Sequence, residues 1–338
     1  MKYSRIIGTG SYLPEKIMTN EDWEKKVDTS AEWIYERTGI KQRHIANHTE
    51  TASYMGAEAA KKALDACGKT SQDIDMIVVS TAASDKLFPS TACFIQKSLG
   101  ITHNCTAFDV QAACSGFIYA LSVADKFIKT GEVKRALVVG TEVMSRLINW
   151  SDRSTCVLFG DGAGCVILEA SEKPGILSTH LYADGNQDKL LAADNIQLAD
   201  HSGLSRDTEI TSNASLPISD FYPYIQMEGR KVFKVAVTRL GQLVEEIKEK
   251  HQLTEHDIDW LVPHQANIRI IKAAADKLGV PLDKVVLTVE KHSNTSSASI
   301  PLALDTAVRD GRIKPGQTLL LEAFGAGLTW GSALIKYI

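Results

Sequence analysis

Asp109-Val110-Gln111-Ala112-Ala113-Cys114-Ser115-Gly116-Phe117 is the stretch on which the reading of the chain turns. Ahead of it, Cys105-Thr106-Ala107-Phe108-Asp109-Val110 has the small and apolar character of a buried strand. Behind it, Phe117, Ile118, Leu121, Ala124, Phe127 and Ile128 recur at three- and four-residue spacings, which predicts a helix opening near Ser115. Cys114 therefore falls where a strand hands over to a helix. The unpaired N–H groups of a helix start favour a thiolate, which makes such a cysteine a candidate nucleophile. The plain alternative is a packed core thiol, since free cysteine is among the most buried residues.

A length of 338 residues suits two domains or one large duplicated α/β unit. Hydrophobic residues at 44% and charged residues at 23% describe an ordinary globular protein. The net charge of -4 gives no reason to expect nucleic acid as a partner. The apolar run in Met1-Lys2-Tyr3-Ser4-Arg5-Ile6-Ile7-Gly8 is too short for a signal peptide, and no stretch approaches the roughly 20 apolar residues of a membrane span, so no membrane partner is expected. The six cysteines include no C-x-x-C pair and all lie in the first half. That pattern fits reduced thiols in a cytoplasm better than a zinc site or a disulfide framework.

Further out, Ile6-Ile7-Gly8-Thr9-Gly10-Ser11-Tyr12-Leu13-Pro14 reads as a strand ending in a turn. Its Gly-x-Gly lacks the third glycine and the prompt helix of a dinucleotide site. Residues 20–48 read as polar and irregular, with Trp33 and Arg37 one turn apart if that segment is helical. Residues 51–67 form an amphipathic helix, and 73–80, 136–140 and 165–168 read as buried strands. The Gly-rich turn at 159–164 lacks the Lys-Ser/Thr of a phosphate loop, and tight backbone packing is the simpler reason for its glycines. From about 184 to 225 polar sequence predicts a long loop, ending in Phe221-Tyr222-Pro223-Tyr224; a long amphipathic helix resumes at about 228.

The second half restates the first. Asp73-Ile74-Asp75 and Asp257-Ile258-Asp259 each precede an apolar strand, Gly131-Glu132-Val133-Lys134 matches Gly311-Arg312-Ile313-Lys314, and the turn at 159–164 recurs as Phe324-Gly325-Ala326-Gly327. Alternating strands and helices imply parallel pairing through right-handed crossovers. The halves are expected at 1–172 and 173–338. Cys114 and Asn294 each lie 17 residues before the matched glycine, which reads them as equivalent positions, each opening a helix. His264 stands seven residues after Asp257, as Ser80 does after Asp73. A pseudo-two-fold would bring Cys114, His264 and Asn294 to one cleft, and a thiolate, an imidazole and an amide donor suffice for acyl transfer. Taken singly, His264 could be structural and Asn294 a helix cap.

These motifs, with Asp28-Thr29-Ser30, Trp33-Ile34, Arg37-Thr38-Gly39-Ile40, Pro263-His264-Gln265-Ala266-Asn267, Asn294-Thr295-Ser296-Ser297-Ala298-Ser299 and Gly327-Leu328-Thr329-Trp330-Gly331, span nearly the whole chain. The chain resembles the β-ketoacyl-acyl-carrier-protein synthase III family, the condensing enzymes that start bacterial fatty-acid synthesis. The resemblance implies an α/β thiolase-like fold, two duplicated βαβαβαββ-type halves in a layered α-β-α-β-α arrangement, and a homodimer. It implies that Cys114 takes an acyl group from acyl-CoA, with acetyl-CoA as the expected primer, and that backbone N–H groups of Cys114 and Ala326 hold the oxyanion. His264 and Asn294 would support decarboxylation of malonyl-acyl-carrier protein, with no metal or redox cofactor. Trp33, Arg37, Arg153 and Asn267 match contacts to CoA, and Phe88 matches a residue that limits the partner's acyl pocket. Lys234, Gln265 and Arg269 match contacts to the carrier protein. Ala326 replaces the middle glycine of the family's Gly-Gly-Gly turn, and 196–224 reads as longer than in shorter members, which leaves the acyl group open.

A thiolase needs a second cysteine in its C-terminal half, and none follows Cys165. Elongating condensing enzymes carry a second histidine where Asn294 stands. A relative in secondary metabolism with another primer stays open, as does a cysteine-dependent acyl hydrolase.

Overall fold

In a computed structural model of the chain, residues 3–194 and 224–338 are described. Most of the expected 196–224 insertion, with Phe221, Tyr222 and Pro223, lies outside the described residues.

The chain opens with β1 (Tyr3–Tyr12), β2 (Ile17–Thr19), α1 (Asn20–Glu24), α2 (Ala31–Thr38), β3 (Gln42–His44) and α3 (Ala52–Cys67). Next come β4 (Met76–Ser80), α4 (Thr91–Ser98), β5 (Thr106–Val110), α5 (Gly116–Thr130), β6 (Arg135–Glu142) and β7 (Gly162–Ser171). Then follow β8 (Ile176–Ala183), β9 (Leu191–Ala192), β10 (Gln226–Met227), α6 (Gly229–His251), β11 (Trp260–Pro263) and α7 (Ile268–Leu278). The last elements are α8 (Val289–His292), α9 (Ser299–Arg309), β12 (Thr318–Gly325) and β13 (Thr329–Lys336).

One sheet runs β1-β7-β6-β4-β5, the other β11-β12-β13-β8. Helices α3 and α4 cover the outside of the first sheet, α6 and α7 lie outside the second, and α5 and α9 pack between them. The expected five layers are present. The middle layer is dry: Phe117, Ile118 and Leu121 of α5 and Leu304 of α9 are fully buried, each such side chain contributing about 1.5–3 kcal/mol.

The Asp-x-Asp signature of the repeat has a mechanical origin. Asp73 and Asp257 close matching capping boxes with Thr70 and Thr254. Two residues on, the Asp75 carboxylate accepts from the backbone N–H groups of Lys134 and Arg135 at 2.9 Å, and Asp259 accepts from Thr318 at 2.7 Å. Each pair thus starts one strand and tethers the next.

The repeat breaks at one place, and it corrects the equivalence of Cys114 with Asn294. Turns of 3₁₀ type at Ala113–Ser115 and Ser296–Ala298 precede α5 and α9, and both begin on a residue of positive φ, 45° at Ala113 and 49° at Ser296. Matching the turns sets Cys114 against Ser297. Counting from the glycines fails because α5 has 15 residues and α9 only 11. Ile77 pairs with Ala107, and Leu261 pairs with Val285, so the chain spends longer between that pairing and the turn in the second half. Asn294 and α8 occupy the extra length.

Three other expectations change. The segment 20–48 is regular: α1 and α2 are capped by Thr19 and Ser30, α2 ends on Gly39 at φ 75°, and β2 pairs with β3. Part of the expected loop is also structured, since β9 pairs with β10 and, beside them, the Glu228 N–H donates to the Leu190 carbonyl. The segment expected as a buried strand is β5, a half-buried edge strand. Among the described residues no helix is long and apolar enough to cross a membrane.

Candidate active site

Cys114 is 8% exposed and sits in the turn ahead of α5. That turn is stitched to the one between β12 and β13. The Thr329 hydroxyl donates to the carbonyls of Ala112 and Ala326, and the Ser115 hydroxyl donates to the Thr329 carbonyl at 2.9 Å. Gly325 passes so close that a Cβ there would lie 2.7 Å from the Cys114 nitrogen. Of the four non-glycine residues at positive φ among the described residues, Ala113, Ser293 and Ser296 flank Cys114 and Asn294. Such backbone strain collects at working sites.

The thiol does not have the acidity expected of a helix start. Burial pushes it up to about 12, the buried Glu142 carboxyl adds to the rise, and a hydrogen bond with the Ser296 hydroxyl opposes it. Desolvation of the thiolate outweighs the helix end. The resting group is the thiol.

His264 follows β11 and is held by Ser299 at the start of α9. The Ser299 hydroxyl accepts from the Gln265 backbone N–H at 3.3 Å and lies 2.6 Å from His264 Nδ1. A Ser299 hydroxyl that donates to Nδ1 leaves the ring hydrogen on Nε2, whereas the Nδ1–H tautomer makes Ser299 the acceptor. Burial holds the imidazole down to about 3, so it is neutral. The Asn294 amide is oriented too: its Oδ1 accepts from the Ser296 N–H at 2.9 Å, leaving the NH₂ as the free end.

Cys114, His264 and Asn294 line one cavity of about 700 Å³, whose other end carries Trp33, Arg37, Asn267 and Arg269. At that end the Arg153 guanidinium lies 5.1 Å and that of Arg37 6.0 Å from the Trp33 ring centre. The Asn267 side chain caps α7 and donates to the Arg37 carbonyl at 2.9 Å. A second cavity of about 440 Å³ meets the first at Cys114 and is lined by Ala326, Met144, Leu147, Leu191 and Ile225. Ala326 has no positive φ, so the alanine sits there without strain.

The remaining expected residues lie apart. Phe88 is 79% exposed and lines neither cavity of its own chain. Lys234 and Arg269 are exposed, Arg269 over the Phe233 ring at 5.3 Å. Gln265 is a correction. It is fully buried, its Nε2 donates to the carbonyls of Pro263 and Val286, and its Oε1 accepts from Thr288 and Val289. It braces the site from inside and has no face for a carrier protein. Ser296, Ser299 and Glu142 were not singled out in sequence, although the first two stand in the quoted Asn294–Ser299 run. Among the described residues, no group of three or more His, Cys, Asp or Glu is placed to hold a metal ion.

A thiol, an imidazole and an amide beside two cavities that meet at the sulfur make an arrangement capable of acyl transfer, and the comparisons point to the same class of enzyme. Residues 108–185 match the family described as 3-oxoacyl-[acyl-carrier-protein] synthase III, and residues 249–337 match its C-terminal part. The beta-ketoacyl-[acyl-carrier-protein] synthase III of Thioalkalivibrio sulfidiphilus is 56% identical over 338 residues, covering 100% of each chain. The crystal structure of 3-oxoacyl-[acyl-carrier-protein] synthase III from Aquifex aeolicus superposes with a TM-score of 0.89 at 46% identity, covering 99% of this chain and 100% of that one. The priming beta-ketosynthase of the R1128 polyketide pathway superposes with a TM-score of 0.89 at 37% identity, covering 99% and 96%. The fold is the thiolase fold of the condensing acyltransferases. Within that class, the chain belongs to the beta-ketoacyl-acyl-carrier-protein synthase III family, whose reaction is a decarboxylative Claisen condensation.

Proposed function

We propose that the protein condenses an acyl-CoA primer, acetyl-CoA first, with malonyl-acyl-carrier protein, giving a 3-oxoacyl-acyl-carrier protein that starts type II fatty-acid synthesis. The observation that carries this reading is the meeting of two cavities at Cys114 with His264 and Asn294 beside one of them. The first half, 1–172, supplies the nucleophile, and the second, 173–338, supplies the two donors.

The CoA arm enters past Trp33, with its adenine between that ring and Arg153, Arg37 near a phosphate, and Asn267 alongside. Cys114 attacks the thioester. Its proton leaves with the CoA thiolate as CoA–SH, and backbone N–H groups of Cys114 and Ala326 hold the tetrahedral oxyanion. The acyl chain lies in the smaller cavity. Malonyl-acyl-carrier protein then approaches the basic surface of Lys234 and Arg269. Decarboxylation leaves an enolate, whose oxygen takes hydrogen bonds from His264 Nε2 and Asn294 Nδ2. The carbanion attacks the acyl-cysteine, and the departing Cys114 thiolate takes up one proton. The turnover therefore consumes one proton and releases CO₂ and CoA.

A homodimer suits the edge strand β5 and the exposed Leu87 and Phe88. Phe88 would then reach the partner's acyl cavity. A cytoplasmic location follows from the same substrates. The resemblance to a priming beta-ketosynthase of polyketide synthesis favours a second reading with a different primer. Purified protein with malonyl-acyl-carrier protein and CoA thioesters from acetyl to decanoyl tests both. Acetoacetyl-carrier protein as the fastest product supports the first, and preference for a longer primer supports the second. Release of free acid without condensation supports a hydrolase and contradicts both.

A further inference from the structure

A much smaller cavity, about 20 Å³, also reaches His264 but does not reach Cys114. Glu322 of β12 lines it with a carboxyl group whose two oxygens are buried and have no hydrogen-bond partner. The residue is 1% exposed. It is a direct neighbour of the catalytic histidine: the Glu322 carbonyl accepts the His264 N–H at 2.8 Å, and Glu322 pairs with Pro263 across the ladder. Opposite it on β13 stands Ser332, whose hydroxyl is likewise buried and unpaired. The cavity is the size of one water molecule. A buried carboxyl with no protein partner is costly, and the one further polar neighbour this cavity has room for is a single water.

We propose that Glu322 is a positioning residue for the condensation: bearing its proton, it keeps the ground behind His264 uncharged, so the imidazole remains a neutral N–H donor to the enolate. Loss of that proton slows condensation while leaving acyl transfer to Cys114 intact. The inference rests on the condensing reading above.

The surroundings support a neutral carboxyl. The cavity faces of α6 and α7 present Ala236, Leu240, Ile270, Ile271 and Ala274, none of them titratable. The titratable group just after β11 is His264. Beyond Ser332 lies His180 of β8, facing Glu246 and His251 of α6. Burial alone pushes the Glu322 carboxyl up to about 8. An ionised Glu322 would draw a proton onto the imidazole and repel the negative charge developing on the enolate. A charge in the small cavity that both residues line is expected to slow the step roughly tenfold or more.

The test measures two steps of the full-length enzyme from about pH 6 to 10. Acyl-enzyme formation from acetyl-CoA is read by intact mass, and decarboxylation by CO₂ released from malonyl-acyl-carrier protein. In the wild type, decarboxylation should fall by roughly tenfold or more through a limb near the Glu322 carboxyl's titration, with no matching fall in acyl transfer. Glu322→Gln should decarboxylate without that limb. If that variant does not fold, Glu322→Met, uncharged and of similar volume, should behave the same way. A wild-type limb that persists in either variant, or a wild type without one, overturns the inference. A wild type that releases no CO₂ at any pH instead overturns the condensing reading.

Discussion

The Ser296 backbone N–H donates to Asn294 Oδ1 at 2.9 Å, and this single bond decides which end of the Asn294 amide is left for a substrate. The free end is a donor. It shares a cavity with His264, and in the proposed reaction the two side chains converge as donors on the enolate oxygen.

Replacing that donor by an acceptor should separate the two halves of the reaction. Asn294→Asp keeps the bond from Ser296 but turns a carboxylate toward the enolate. Decarboxylation is expected to fall by about 10²–10³-fold, the range for a lost oxyanion donor, while acyl-enzyme forms near the wild-type rate. CO₂ release and intact mass read the two separately. Equal losses in both would remove Asn294 from the enolate.

Gly325 and Ala326 should respond oppositely to a one-methyl change. In Gly325→Ala the new Cβ meets the Cys114 and Ser115 backbone nitrogens at 2.7 and 3.0 Å, so the nucleophile turn must shift. A stability loss of about 1–3 kcal/mol and slower acyl transfer are expected. Ala326→Gly should stay near the wild type in both. Urea unfolding and single-turnover acylation check the pair.

Gln265→Ala strips partners from four buried backbone groups, at Pro263, Val286, Thr288 and Val289. A stability loss of at least about 3 kcal/mol is expected. The KM for malonyl-acyl-carrier protein should be unchanged at temperatures where the variant is folded. A raised KM with stability intact would restore Gln265 to the docking surface.

Two buried groups should give stability opposite slopes with pH. His264 is neutral when folded down to about 3, whereas the unfolded imidazole gains a proton below 6.5. The unfolded state then binds more protons, and stability falls as pH drops through that window by about 1.4 kcal/mol per unit. Glu322 is protonated when folded up to about 8, but ionises above 4.5 when unfolded. Here the folded state binds more protons, and stability falls as pH rises. Relative to the wild type, His264→Gln should gain about 2 kcal/mol on going from pH 7 to 5, and Glu322→Gln about 2.5 kcal/mol on going from pH 5 to 7. Urea unfolding at the two pH values measures both. The same sign for both variants would contradict the neutral-pair assignment.

Much of this site was legible because strong periodicity surrounds it. The apolar stripe from Phe117 to Ile128 placed Cys114 at a helix start, and the Asp-x-Asp pairs placed Ser80 and His264 at matching strand ends. Asn294 was matched wrongly because a glycine count assumes helices of equal length, and α9 is shorter than α5. The helices α1 and α2 were missed because five and eight residues offer too little periodicity, though Thr19, Ser30 and Gly39 were the available signals. The thiol's acidity was misjudged because a helix start is visible in sequence and burial is not. Gln265 was assigned by motif position, which carries no information about exposure. Glu322 did leave a mark, a lone acid inside Leu319-Leu320-Leu321-Glu322-Ala323-Phe324, which an apolar strand does not need.

The central claim is that Cys114 carries the acyl group between two cavities. Intact-mass spectrometry of the protein after incubation with acetyl-CoA alone, followed by peptide mapping, tests it most directly. The account predicts one acetyl adduct per chain, on the peptide containing Cys114, absent in Cys114→Ser and discharged by malonyl-acyl-carrier protein. An adduct on any other residue, or an undiminished adduct in Cys114→Ser, would contradict it.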